Sequence, residues 1–170
     1  MKYWIITDTH FSHKALHEYC GRPENVDSII KDNIIKRVRN GDTLIHLGDV
    51  CIGNDKENNE WFSRLDGVKR VLVKGNHDHK SNQWYMDHGW TLACERFDID
   101  MYGKKIAFTH APIALDGYFD LNIHGHFHNT DHRRTDPKFN GILSGYNKLI
   151  ALEYTGYAPL SLEGLTNKTY

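Results

Sequence analysis

The feature that most restricts the fold of this chain is a series of short apolar runs, rich in β-branched residues, that recur along the sequence. Runs of this length and composition predict buried β-strands. Five of them lie at Tyr3–Thr7, Thr43–Leu47, Val68–Val73, Ile106–Thr109 and Leu121–Ile123. Between the first two, an apolar stripe from Val26 to Val38 recurs every three or four positions and predicts a helix. Strands that alternate with helices form layers, so the pattern predicts an α/β domain.

Weaker patterns predict the remaining elements. Two further helices are expected at Asp55–Asp66 and Ser81–His88. The pattern then changes, and strands are predicted at Thr91–Arg96, Phe97–Met101, Lys104–Thr109, Ile142–Leu143 and Lys148–Glu153. No repeat, low-complexity tract or linker interrupts residues 1–170. Because this length suits one hydrophobic core, we expect a single domain.

The composition is that of an ordinary globular protein and disfavours several classes of partner. Hydrophobic residues make up 39% of the chain and charged residues 25%, far from the profile of a disordered chain. The formal net charge of −1 gives no general attraction to nucleic acid or to an anionic membrane. We therefore expect no membrane partner and no strong binding of long nucleic acid. A charged substrate must be held by local groups.

The cysteines and the N-terminal segment favour a cytoplasmic location. The three cysteines are widely spaced and form no CxxC pair, which argues against a disulfide framework and favours a reducing compartment. The first apolar run reaches Asp8 too early to supply the core of a signal peptide, and no apolar run approaches membrane-spanning length.

The chain contains twelve histidines, and several of them follow predicted strands. Imidazole is the commonest metal ligand in proteins and a common acid–base group. Ligand-type side chains follow five strands in turn: Asp8 and His10, then Asp49, then Asn76, His77 and Asp78, then His110, and last His126 and His128. Ligands of open α/β sheets bind beyond the carboxyl ends of the strands, so we expect these residues to converge.

Local geometry suggests how the paired residues could act. In extended backbone, side chains two positions apart point the same way, so Asp8 and His10 could hold one ion, as could His126 and His128. The glycine before Asp49 permits a sharp turn that lifts the carboxylate off the strand end. Each short motif alone is also compatible with an ordinary polar turn.

The segment Gly75–Asp78 carries a different combination of groups. Asn76 offers a neutral oxygen ligand, His77 an acid or base, and Asp78 an acceptor that could orient His77. Outside this segment, Arg22 could bind a phosphate oxygen through its planar fork, or be an ordinary surface arginine. His13 is a candidate for substrate contact, with a supporting or surface role as the alternative.

Taken in order, these fragments resemble the calcineurin-like metallophosphoesterase family, whose signature runs D-x-H, G-D, G-N-H-D or G-N-H-E, H, and G-H-x-H. The resemblance spans Trp4–His128, and Tyr157–Glu163 is similar to the closing segment of small bacterial and phage-type members. The chain departs from the pattern at Ser12, where glycine is usual. The resemblance implies a layered α-β-β-α sandwich.

The resemblance also implies a dinuclear metal site. Its first ion would be held by Asp8, His10 and His128, its second by Asn76, His110 and His126, with Asp49 bridging the two. This mixed nitrogen and oxygen set favours Mn²⁺, with Fe, Zn²⁺ or Ni²⁺ as alternatives. A bridging hydroxide would attack the phosphorus while His77, oriented by Asp78, protonates the leaving group. Arg22, His13 and Asn76 would contact the substrate.

The sequence therefore predicts a metal-dependent phosphoesterase that acts on a small phosphodiester, with phosphomonoesters and nucleotides as open possibilities for the substrate. The alternatives are a scaffold of the same fold without turnover, a nuclease that acts on nucleic acid ends, and a structural metal protein built on the segment from His124 to His132. No ligand residue of the family pattern is missing, which argues against the scaffold. Structural zinc ligands are usually local in sequence, which argues against the last alternative. The oligomeric state is left open.

Overall fold

The computed structural model describes residues 1–131 and 134–167. Its strands are β1 (Tyr3–Ile6), β2 (Thr43–His46), β3 (Lys69–Val73), β4 (Leu92–Cys94), β5 (Phe97–Met101), β6 (Lys104–Thr109), β7 (Leu121–His124), β8 (Asn147–Leu149) and β9 (Leu160–Ser161). Its α-helices are α1 (Leu16–Cys20), α2 (Val26–Arg37), α3 (Asp55–Glu60), α4 (Asn82–Asp87) and α5 (Leu162–Asn167). Short 3-10 helices lie at Trp61–Arg64, Pro137–Phe139 and Leu152–Tyr154.

The strands form two sheets. The first has the order β4-β3-β2-β1-β9, in which β1 to β4 are parallel and β9 is antiparallel to β1. The second has the order β5-β6-β7-β8, in which β6 to β8 are parallel and β5 is antiparallel to β6. The strands that precede the predicted ligands are therefore divided between both sheets.

Alternation along the strands of the first sheet creates two hydrophobic cores. Ile5 and Ile45 pack with Phe108 and Ile123 of the second sheet. Residues next to them in the strands face the other way, and Ile6, Leu44 and Leu72 belong to the second core. In that core they pack with Ile30 and Ile34 of α2 and with Phe62 of the 3-10 helix Trp61–Arg64. The predicted fold class, an α/β sandwich of two sheets flanked by helices, is confirmed.

The first three predicted strands, the helix over the Val26–Val38 stripe and the strands predicted at Phe97–Met101, Lys104–Thr109 and Leu121–Ile123 are confirmed, but the segment after β7 differs from prediction. The strand predicted at Ile142–Leu143 is wrong: this segment is a turn after Gly141, and Leu143 is exposed. The strand predicted at Lys148–Glu153 is wrong beyond Leu149, because the chain enters the 3-10 helix Leu152–Tyr154.

Among the described strands and α-helices, three were not predicted, namely α1, β9 and α5. All three have at most six residues, too few for a periodic pattern to identify. In the part of the chain that the structure describes, no helix has the length and apolar character needed to span a membrane.

Candidate metal centre

The loops that follow β1 and β2 run side by side beyond the first sheet. Asp8 N donates to Gly48 O at 2.9 Å, and His10 N donates to Asp49 O at 3.0 Å. Asp8, His10 and Asp49 have φ values of 50°, 46° and 56°, in the left-handed region that non-glycine residues seldom adopt. The predicted extended backbone at Asp8 and His10 is therefore wrong. Their side chains meet because of a strained turn, of the kind found at functional sites.

The same backbone conformation recurs in the loop after β7 and in the first loop. His126 and His128 have φ values of 74° and 52°. Ser12, where the family pattern has glycine, has a φ of 68°, which explains the family's preference for a residue without a Cβ. In this chain the Ser12 hydroxyl instead accepts a hydrogen bond from Asn58 Nδ2 at 3.1 Å.

Glycines let the ligand loops touch. A Cβ on Gly48, which has a φ of 92°, would collide with the backbone of Gly75. A Cβ on Gly125 would collide with Thr7 Oγ1 and Asp8 Oδ2. The glycine of the G-D motif is thus required by backbone contact between two loops of the first sheet, and that of the G-H-x-H motif by side chains of the loop after β1.

The first group of ligand-type residues consists of Asp8, His10 and His128, whose ligand atoms lie within 4.8 Å of one another. Asp8 Oδ1 lies 3.8 Å from His10 Nε2 and 3.7 Å from His128 Nε2. The other oxygen, Oδ2, is fixed by Thr7 Oγ1 at 2.6 Å and by His126 N at 2.9 Å. One carboxylate oxygen is therefore held by the protein, and the other faces the imidazoles.

The second group consists of Asp49, His110 and His126, again with ligand atoms within 4.8 Å. His110 Nε2 lies 2.9 Å from His126 Nδ1, 3.1 Å from Asn76 Oδ1 and 3.4 Å from Asp49 Oδ2. His110 Nδ1 lies 2.8 Å from Leu47 O, which can only accept, so Nδ1 carries a proton and Nε2 is the ring atom available to a cation. Several possible ligand atoms thus converge on one point, as the ligands of a cation do.

Asp49 lies between the two groups. Its Oδ1 accepts from His77 N at 2.8 Å, while its Oδ2 lies 3.5 Å from His10 Nε2 and 3.4 Å from His110 Nε2. Burial opposes ionisation, but the hydrogen bond to His110 and nearby imidazoles hold the pKa of Asp49 below its usual value. At His110, burial is outweighed by the hydrogen bond to Asp49 and by the negative charges of Asp8 and Asp49, which raise its pKa to about 9, so an arriving cation must displace the proton on Nε2.

The donor set fits divalent cations. Asp8 Oδ1 and His10 Nε2 are buried and have no hydrogen-bond partner among the described residues, which is costly unless another group engages them. Burial also keeps the pKa of His10 well below its ordinary value, so this imidazole is neutral and able to coordinate. The residues of both groups would hold such ions.

His77 and His13 face the site from its open side. The His77 side chain is 33% exposed, and its Nε2 lies 4.0 Å from Asp49 Oδ2. The rings of His77 and His13 lie 5.5 Å and 5.3 Å from that of His10. A cavity of about 520 Å³ opens here, within the usual range for small-ligand sites. Its described lining is His10, His13, Leu16, Tyr19, Cys20, His77, His128 and Thr130.

Asp78 does not have the predicted contact with His77. Its carboxylate accepts hydrogen bonds from Asp49 N at 2.7 Å, Gly75 N at 2.8 Å and Val50 N at 3.2 Å. Burial nevertheless raises the pKa of Asp78 to about 6. Its side chain joins two ligand loops and orients their backbone, so the prediction that it orients the His77 ring is wrong.

Arg22 is buried and does not project into the cavity. Its guanidinium donates to Glu153, to Asp8 O at 2.8 Å and to Thr9 O at 3.1 Å. These contacts occupy the fork that was predicted to bind phosphate, so the prediction of substrate contact is not supported. Glu153, which no motif identified, also lies 3.2 Å from His128 Nδ1.

Two other histidines support the site from within. His46 is fully buried beneath the first two loops, where its Nδ1 accepts from Gly48 N at 3.0 Å. His124 is buried with its Nδ1 lying 2.9 Å from Gly125 O, and burial lowers its pKa to about 4.

Comparison with known proteins places the chain in a family. The model of the calcineurin-like phosphoesterase superfamily domain matches residues 1–143. An uncharacterized protein of Methanocaldococcus jannaschii is 30% identical over 95% of this chain and 88% of its own length. The crystal structure of a protein of unknown function from Aquifex aeolicus aligns over 97% of both chains with a TM-score of 0.76 and 25% identity. A nuclease from Pseudomonas putida shares the fold over 74% of this chain and 61% of its own, with a TM-score of 0.52 and 20% identity.

Proposed function

Because the chain belongs to the calcineurin-like phosphoesterase superfamily, we propose that it is a divalent-metal-dependent phosphodiesterase for small organic substrates. The observation that carries this proposal is the position of Asp49 Oδ2, about equally far from His10 and His110 in the two ligand groups. A carboxylate in this position could bridge two cations. We take Mn²⁺ as the first candidate for both.

Bound divalent ions would supply Lewis-acid stabilisation of the phosphate and a water that is nucleophilic at neutral pH. The protein's own contribution is to fix the ligands. Asp8 and Asp49 each hold one oxygen in a hydrogen bond and present the other. The carbonyl of Leu47 fixes the tautomer of His110. The ligands are thus set in place before substrate arrives.

His77 is the proton donor in this proposal. Its ring is partly exposed at the cavity mouth, and its Nε2 faces the same oxygen of Asp49 that both groups approach. A donor at the mouth can reach the ester oxygen that leaves toward solvent, and general acid catalysis of this kind contributes about 10²–10⁴-fold.

The cavity supports a phosphodiester in preference to a monoester. Among its described lining residues there is no lysine or arginine, and the guanidinium of Arg22 is engaged elsewhere. A dianionic monoester would lack extra positive partners there, whereas a monoanionic diester needs fewer. Leu16, Tyr19 and Cys20 of α1 provide a wall for the second organic group.

Turnover of bis-p-nitrophenyl phosphate tests the proposal. We expect hydrolysis that EDTA abolishes and Mn²⁺ restores, and that is lost in Asp49→Ala. Asp100→Ala, which removes an exposed carboxylate of β5, is the matched control and should retain activity. Activity of Asp49→Ala in EDTA would contradict the metal mechanism. Faster turnover of p-nitrophenyl phosphate would contradict the diester preference, and selective cleavage of oligonucleotide ends would favour the nuclease alternative.

A further inference from the structure

Glu153 and Arg22 form a buried ion pair directly behind His128. Glu153 Oε1 accepts a hydrogen bond from Arg22 Nε at 2.8 Å, and it lies 2.7 Å from Arg22 Nη2 and 3.2 Å from His128 Nδ1. All three side chains are at most 8% exposed. We propose that Glu153 is a positioning residue for the metal site of Asp8, His10 and His128, with Arg22 as its anchor. The inference rests on the metal binding of the proposed function.

The first step in the argument is the tautomer of His128. Two groups face His128 Nδ1, namely Glu153 Oε1 at 3.2 Å and Arg22 Nη2 at 3.4 Å. Arg22 Nη2 already donates to Asp8 O at 2.8 Å, and the nearer carboxylate of Glu153 can only accept, so we assign the proton to His128 Nδ1. The Nε2 lone pair then points to the side of Asp8 Oδ1, which lies 3.7 Å away. A carboxylate behind a ligating imidazole fixes the ring and makes it a stronger ligand.

The second step is the contact of Arg22 with the first loop. The same guanidinium that holds Glu153 donates to the carbonyl oxygens of Asp8 and Thr9. The backbone that carries Asp8 and His10 is therefore tied to the ion pair that orients His128. All three ligands of this group depend on one pair of side chains.

The third step is that the other ligand group is supported differently. The His110 ring is held by Leu47 O, and the loop of Asp49 is held by Asp78. No hydrogen bond in the described part of the chain joins the ion pair to Asp49, Asn76 or His110. Loss of Glu153 should weaken one metal site and leave the other.

Stability alone does not account for the pair. Replacing a buried ion pair with apolar side chains is often neutral or stabilising, because desolvation offsets the attraction. Glu153 Oε2 is also buried without a hydrogen-bond partner in the described structure, which adds to the cost. The presence of a costly pair directly behind a ligand histidine fits a role in orienting the site.

The test compares Mn²⁺ binding to the wild type with binding to two variants. The double variant Arg22→Met/Glu153→Leu replaces the pair with apolar side chains of similar size, and Glu153→Gln keeps an acceptor for His128. Glu163→Gln, an exposed residue of α5, is the matched control. Titration calorimetry on the full chain gives the affinity of each ion.

We expect two Mn²⁺ ions in the wild type and in the control. In the double variant one ion should bind roughly 10–100-fold more weakly, while the other keeps its affinity. The Glu153→Gln variant should lose less affinity for that ion. The inference would be overturned if the folded double variant bound both ions with the affinities of the wild type, or if its affinity for both ions fell equally. A wild type that binds no Mn²⁺ would instead count against the proposed function.

A measurement on the unmodified chain covers the case in which the variants do not fold. The ¹⁵N chemical shifts of the His128 ring distinguish its tautomers. We expect a neutral ring with its proton on Nδ1, both in the metal-free chain and in the chain loaded with diamagnetic Zn²⁺. A neutral ring with its proton only on Nε2 in the metal-free chain would overturn the inference without any substitution.

Discussion

The buried imidazole of His46 should make the stability of the metal-free protein depend on pH in a defined window. Its Nδ1 accepts from Gly48 N, so its Nε2 carries the proton and donates to Thr9 Oγ1 at 2.9 Å. Thr9 Oγ1 in turn donates to Val50 O at 2.8 Å. This network holds a neutral ring, and burial lowers the pKa of His46 from 6.5 to about 3.

The sign of the effect follows from which state binds the proton. Below pH 6.5 the unfolded chain protonates His46 while the folded chain does not, so the folded state loses stability as pH falls. The loss continues until pH approaches 3, where the folded state also binds the proton. At about 1.4 kcal/mol per pH unit, the contribution between pH 6.5 and 4.5 is about 2–3 kcal/mol.

Urea unfolding of the wild type and of His46→Asn measures this contribution. Asn Oδ1 can still accept from Gly48 N, but the side chain does not titrate. Unfolding free energies in EDTA, followed by tryptophan fluorescence between pH 4.5 and 7.5, give two curves whose difference isolates His46. We expect the wild-type curve to fall more steeply on acidification. Parallel curves would refute a neutral, buried His46, whatever the absolute stability of the variant.

Three further predictions concern the site. The His77→Ala variant should bind Mn²⁺ normally and lose about 10²–10⁴-fold in steady-state turnover of diesters with alkyl leaving groups. The loss should be much smaller for p-nitrophenyl esters, because their leaving group needs no proton. Equal losses on both kinds of substrate would mean that His77 is not the acid. Tyr19→Ala, at a side chain 69% exposed on the cavity wall, should raise KM for aryl diesters with little change in kcat, and Tyr19→Phe should not. The Gly125→Ala variant should have a free energy of unfolding lower by roughly 1–3 kcal/mol in urea titrations, because the added Cβ collides with Thr7 and Asp8. The control is Gly145→Ala, whose Cβ meets no atom within 4 Å and which should leave the free energy of unfolding nearly unchanged.

The sequence was informative about the fold wherever burial leaves a local pattern. The runs at β1, β2 and β3 are apolar because the strands are covered on both faces, and α2 has a stripe because only one face is covered. The division of strands between two sheets leaves no local pattern. Ile123 in β7 and Ile5 in β1 pack in the same core from opposite sheets, although their segments look alike in sequence.

The structure brings together the residues that the sequence identified as candidate ligands, since type and spacing within each motif restrict them strongly. The direction of a neighbouring side chain was not predictable in the same way. Asp78 follows His77 directly but turns to backbone amides on another loop. Arg22 was assigned by its chemistry alone, and its partner Glu153 is 131 positions away. The sequence around Glu153 offered one signal, namely that this acidic residue directly follows an apolar run that ends at Leu152.

The distance in sequence between Arg22 and Glu153 has a consequence for synthesis on the ribosome. All of the candidate metal ligands have been translated once His128 is added, 25 residues before Glu153. Until Glu153 has been added, Arg22 has no carboxylate partner behind the site, and burying its charge alone is unfavourable. The growing chain therefore carries a complete set of ligands before Arg22 and Glu153 can bring Asp8, His10 and His128 into their final positions. Stable metal capture at that group should be one of the last steps of folding.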